Sequence, residues 1–203
     1  MRLIISFLLF FVLNTAVSQQ KNALTEQEYL LLQDKIRLTA NANVDSAIVF
    51  ANQMVKSNNN KHLAFANGAL SYLVQLKGNS AQSKQKYKLA LSYLDKMPET
   101  RDKKQLRSIL YNYQGLSEWK RGNFSVAIES YQQDIKLSIE IGDIIQIIKF
   151  KNNIASINVA VGNYLLAIKD LRQLNDFVDK NERVYTKEQY LNKKGDSEES
   201  PFL

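Results

Sequence analysis

Cysteine is absent from the 203-residue chain, which excludes disulfides, thiolate metal sites and a cysteine nucleophile. Histidine occurs once, at His62. A catalytic triad, a histidine metal site or histidine acid–base chemistry would each need partners that cannot be placed around it. His62 reads instead as an exposed or capping residue in the turn region before a second helical pair. No phosphate-cradling glycine-rich loop and no G-x-S-x-G elbow occurs. The acidic pairs Glu26/Glu28 and Glu198/Glu199 read as cap and tail residues, not as two carboxylates converging in a pocket. The expectation is a protein without catalytic residues, metal or cofactor. Breakers are scarce too, with 2 prolines and 7 glycines. A sandwich or barrel needs a turn signal about every 8 to 12 residues, so this composition predicts an all-α fold.

What the chain does contain is a repeat. Gly122-Asn123-Phe124-Ser125-Val126-Ala127-Ile128 returns 40 residues later as Gly162-Asn163-Tyr164-Leu165-Leu166-Ala167-Ile168. Each copy lies between two apolar-periodic segments. The same scheme extends back through the chain as four helical pairs, about 25–58, 61–97, 104–141 and 144–180. Thr25-Glu26-Gln27-Glu28 is a capping-box pattern that opens the first. Met97-Pro98 closes the second, because proline cannot continue a helix. A small residue recurs early in each second helix, at Ala47, Ser83, Ala127 and Ala167, with spacings of 36, 44 and 40. A small side chain there lets the two helices of a pair approach closely.

Gly115 or Ala155 in a first helix, then Gly122 or Gly162, Phe124 or Tyr164, Ala127 or Ala167, and Tyr131 in a second helix resemble the tetratricopeptide repeat. The resemblance covers roughly residues 25–180. It is strong in the third pair, good in the fourth and weak in the first two. It implies an α-solenoid of about four antiparallel helical hairpins in a right-handed superhelix, binding a protein or peptide in a groove lined by the first helices. Two departures stand out. The copies exceed the usual length of about 34 residues, and Asp134 stands where the family carries a second alanine. Longer copies resemble those of bacterial exported sensor and regulator proteins. The alternative reading is therefore the sensory input region of such a regulator, shortened before its transmembrane and helix-turn-helix parts.

Carrying the groove positions over residue by residue gives Phe65, Gly68, Tyr72 and Gln75 in the second pair. The third gives Ile109, Asn112, Leu116 and Trp119, and the fourth Lys149, Asn152, Ser156 and Val159. Asn112 and Asn152 are 40 residues apart, which predicts that they share a face. Asparagine donates and accepts at once, which suits a peptide backbone. Each of these asparagines, and Trp119, reads equally well as a residue satisfying neighbouring helices.

The N-terminus carries Arg2, an apolar run from Leu3 to Leu13 broken by Ser6, and Asn14-Thr15-Ala16-Val17-Ser18 before Gln19. That is the pattern of a signal peptide over residues 1–18, with an uncleaved N-terminal anchor as the alternative. Its apolar run is shorter than the roughly 18 to 20 residues of a bilayer span. The mature protein is expected in the periplasm or secreted. Removing residues 1–18 takes away Arg2 and no acid, lowering the net charge from +7 to +6. Lys84, Lys86 and Lys88 fan around a helix axis, so they read as a solvated face and not as a nucleic-acid stripe. Weak contact with an anionic membrane surface is compatible with the charge. Residues 182–203 read as a partial helix from Thr186 to Lys194 followed by a disordered polar tail.

Overall fold

In the computed structural model, which describes residues 24–181, every regular element is an α-helix. There are eight among the described residues. They are α1 (Glu26–Thr39), α2 (Val44–Met54), α3 (Asn60–Leu76), α4 (Ser80–Asp95), α5 (Arg101–Lys120), α6 (Phe124–Ile141), α7 (Ile144–Ala160) and α8 (Tyr164–Lys180). No helix among them is long and apolar enough to cross a membrane. The signal-peptide pattern, the segment from Thr186 to Lys194 and the polar tail all lie outside the described residues.

The helix ends explain the repeated Gly-Asn. At the end of α5, Gly122 N–H donates to the Trp119 carbonyl and Asn123 N–H to the Glu118 carbonyl, both at 2.9 Å. The same two bonds end α3 at Gly78-Asn79 and α7 at Gly162-Asn163. This is a Schellman closure, and it needs the glycine in the left-handed region. Gly122 and Gly162 have φ of 80° and 81°. At the other end of the chain, the capping box forms as the sequence predicts. Thr25 Oγ1 accepts from Glu28 N–H at 3.2 Å, and Glu28 Oε2 accepts from Thr25 N–H at 2.8 Å.

A Cβ on Gly122 would meet nothing within 4 Å. Gly122→Ala is therefore expected to destabilise through the backbone alone, by about 1–2 kcal/mol. Gly122→Asn should cost less, since asparagine tolerates this conformation. Urea midpoints of the two variants and the parent check the ranking.

Each helix packs on its neighbour in the chain, and α3 packs on α5 as well. Ala47, Ser83, Ala127 and Ala167, the recurring small positions, are all buried, at 0–2% exposure. One large cluster joins α1 to α5 through Tyr29, Ile36, Met54, Phe65, Leu73, Leu94 and Leu110. A smaller one of Ala127, Tyr131, Phe150 and Ile157 joins α6 to α7, with Trp119 of α5 packed against it. Ile148 and Leu174 join α7 to α8. The core thins toward α8, which buries only Ala167 and Leu174.

His62 differs from the sequence reading. It is the third residue of α3 and buried at 2% exposure. Its ring stacks on Tyr29 of α1 at 4.3 Å between centroids, and Nδ1 lies 2.9 Å from Ser57 Oγ. Burial holds its pKa below the usual histidine value, although Glu26 pulls the other way. The turn-region position in sequence hides this, because Tyr29 comes from 33 residues earlier.

Candidate functional site

The carried-over groove positions fall on three first helices, α3, α5 and α7. On α3 they are closed. Phe65, Tyr72 and Gln75 are buried, and Tyr113 of α5 packs edge-on to Phe65 and alongside Tyr72 at 6.1 and 6.3 Å between ring centroids. A Cβ on Gly68 would lie 2.3 Å from Leu110 Cδ2 of α5, so α5 sits directly on this face. On α5, Asn112 and Leu116 are buried, while Ile109 and Trp119 are partly covered. The Asn112 side-chain oxygen has no hydrogen-bond partner.

On α7 the stripe opens. Lys149 and Ser156 are half-buried, and Asn152 and Val159 are exposed. Positions 149, 152, 156 and 159 follow the three-and-four spacing of one helix face. Asn112 and Asn152 therefore hold equivalent places in sequence but opposite environments in space. Tyr72, Gln75, Asn112 and Leu116 offer a partner no surface in this arrangement. Lys149, Asn152, Ser156 and Val159 do. Lys149 Nζ lies 5.6 Å from the Phe150 ring centroid, which places a positive charge beside the stripe. The Ser156 hydroxyl is turned back onto the Asn152 carbonyl at 2.9 Å.

Behind that face sits a group that the sequence marked only as a departure from the family pattern. Asp134 of α6 is completely buried. Its Oδ1 accepts from Ser138 Oγ at 3.2 Å, and its Oδ2 has no partner. Burial pushes its pKa up to about 7, partly offset by Ser108 of α5, Ser138 and Lys149 of α7. The buried Tyr131 hydroxyl lies nearby, against the Asn153 side chain of α7. A buried carboxylate with an orphaned oxygen is costly. Side chains of three helices, α5, α6 and α7, therefore act on one buried carboxyl group.

A second concavity was not evident from sequence. A cleft of about 240 Å³ lies where α4 meets α3 and α5, and Ser83, Lys84, Tyr87, Lys88, Ser117 and Arg121 are among its lining residues. Lys84 and Lys88 are one helical turn apart, so they share the rim, whereas Lys86 points elsewhere. Arg121 at the end of α5 pairs with Glu118 and donates to Ser83 across the cleft. Its guanidinium is thereby already neutralised, and the pair ties the end of α5 to the start of α4. Among the described residues, no group of three His, Asp or Glu side chains could hold a metal ion.

Set against known proteins, the chain matches no protein-family model, no curated protein and no solved structure.

Proposed function

We propose that this protein is a solenoid of tetratricopeptide-like hairpins that binds another protein or a peptide, exported from the cytoplasm and without catalysis of its own. The observation that carries the reading is the open stripe on α7. Lys149, Asn152, Ser156 and Val159 present a cation, an amide, a hydroxyl and an apolar group in line, while the matching positions on α3 are closed. An extended peptide needs that mixture: donors and acceptors for its backbone and an apolar seat for a side chain. The repeat pattern supports it from the sequence side, because in the family the residues resemble, first helices line the binding groove.

The test is capture of partners from a cell-envelope extract by residues 19–203 and by a Lys149→Ala/Asn152→Ala/Ser156→Ala variant. Interface truncations typically cost about 1 kcal/mol or more at the residues that matter, so the affinity for a captured partner should fall at least tenfold. Asn112→Ala, at a buried position, should leave affinity unchanged per folded molecule. Equal affinity of parent and triple variant, with both folded by circular dichroism, would reject the reading.

A further inference from the structure

Two seams between successive hairpins occupy equivalent places in the repeat and are filled differently. Between α6 and α7 the seam is apolar. Ala127, Tyr131 and Ile135 of α6 pack with Ile154 and Ile157 of α7 in one cluster, and Ile157 is fully buried. The equivalent residues of the earlier seam are Ser83, Tyr87 and Leu91 on α4, 44 residues before, and Gln114 and Ser117 on α5, 40 residues before. Glutamine and serine stand where two isoleucines fill the later seam. The cleft of about 240 Å³ opens at that point, and all five residues line it.

Polar bridges frame the cleft. The Tyr87 hydroxyl donates to Gln114 Oε1 at 2.8 Å, and one turn earlier on α4 Ser83 Oγ accepts from Arg121. Positions 114, 117 and 121 share one face of α5, so Ser117 sits between the bridges. It is buried at 3% exposure, and its hydroxyl has no hydrogen-bond partner. Arg121 engages Glu118 and Ser83 through its two terminal nitrogens, while its buried Nε has no partner. Buried polar groups without partners are few in folded proteins, and each calls for a bound group to explain it. At the rim Lys84 and Lys88 are exposed and make no ion pair among the described residues. Three cations, Lys84, Lys88 and Arg121, therefore line the cleft against one anion, Glu118. Tyr87 and Leu91 add an apolar wall.

We propose that this cleft binds a small organic carboxylate with a compact apolar body, its anion drawn by Lys84 and Lys88 toward the Ser117 hydroxyl and its body against Tyr87 and Leu91. A single negative charge suits the site, because a dianion would meet more repulsion from Glu118. The volume lies below the roughly 300 to 1,000 Å³ of drug-sized ligand sites, which favours a free small acid over a peptide segment. The site is built on α4 and α5, away from the α7 stripe. It goes beyond the peptide-binding reading and stands or falls without it.

Benzoate and hexanoate are the probes, with benzamide and hexanamide as their uncharged counterparts, each titrated into the isotope-labelled protein. The amide resonances of residues 83–91 and 114–121 should shift saturably with the acids, at least tenfold more tightly than with the amides. Lys84→Gln/Lys88→Gln, a change of exposed side chains, should weaken benzoate at least tenfold. Ser117→Ile, which supplies the side chain that fills the later seam, should abolish the shifts while the helix content by circular dichroism stays the same. Acid and amide binding equally would overturn the proposal, as would benzoate affinity unchanged by the double lysine variant. No saturable shift with either acid at about 10 mM, a concentration at which even affinities near 1 mM are read, would overturn it too.

Discussion

Replacing Asp134 with asparagine is expected to raise stability above pH 7 by about 2–4 kcal/mol. The argument follows from the burial of one carboxylate. In the unfolded chain Asp134 ionises near the ordinary value of 3.8, whereas in the fold burial moves it to about 7. Between those values the folded state holds a proton that the unfolded state has released, so stability falls as pH rises. The neutral acid is accommodated in full below about pH 4, and the loss is complete above about pH 7. Three pH units at about 1.4 kcal/mol each give an upper bound of about 4 kcal/mol. Asparagine keeps the shape and removes the charge, though its amide must also find partners beside Ser108 and Ser138. His62 works in the opposite direction. Its pKa is lowered on folding, so acid below about pH 6.5 favours the unfolded chain. Because His62 is present in both proteins, the difference between Asp134→Asn and parent isolates Asp134. Urea titrations at pH 5 and pH 8 check this, with a variant advantage growing from the first to the second. A pH-independent difference would mean that the carboxylate is already relieved in the native state.

The second large effect is expected at Gly115. A Cβ there would lie 2.4 Å from Tyr131 Cε1 and 2.7 Å from Cζ. Tyr131 cannot retreat, because it is fully buried and Phe150 stacks on its far side. Gly115→Ala is therefore expected to destabilise by about 1–3 kcal/mol from overpacking, against the roughly 1 kcal/mol that alanine contributes in a helix interior. The same change at Gly68 should cost less. There the nearest atom is the end of the flexible Leu110 side chain rather than a rigid ring, although Leu110 is itself fully buried and Tyr113 Cδ2 lies 3.3 Å away. The protein holds its own rescue. One repeat later the pair Gly115/Tyr131 becomes Ala155/Leu171, a larger residue on one helix with a smaller one on the next. Gly115→Ala combined with Tyr131→Leu should be more stable than Gly115→Ala alone, which a double-mutant cycle measures directly.

These two sites show what a sequence of this type discloses. Local features were legible because local chemistry makes them. The Gly-Asn pairs stand out in the sequence as a repeat, and the structure gives them their role as Schellman closures. Thr25 and Glu28 form their capping box, and Ala47, Ser83, Ala127 and Ala167 are buried. Asp134 was visible as a departure from the family pattern, but its orphaned oxygen was not. That depends on Ser108 and Lys149, which come from other helices. His62 was misread for the same reason, since Tyr29 supplies the stacking partner from α1. The groove positions divide along this line. Periodicity identifies the face of a helix, but only packing decides what covers that face. Tyr113 closes α3 over Tyr72, while nothing among the described residues closes α7 over Asn152. On α8, Tyr164 and Ile168 stay exposed, although the repeat places them opposite the covered Phe124 and Ile128 of α6.

The central claim is that the protein works through the open stripe of α7. It is tested most directly by a photo-activated cross-linker placed in turn at Asn152, at Gln133 on the exposed side of α6, and at the buried Asn112. The account predicts a discrete adduct with another polypeptide from position 152 and none from positions 133 or 112. Adducts from position 133 of equal yield, or none from position 152 while partners are still retained, would contradict it.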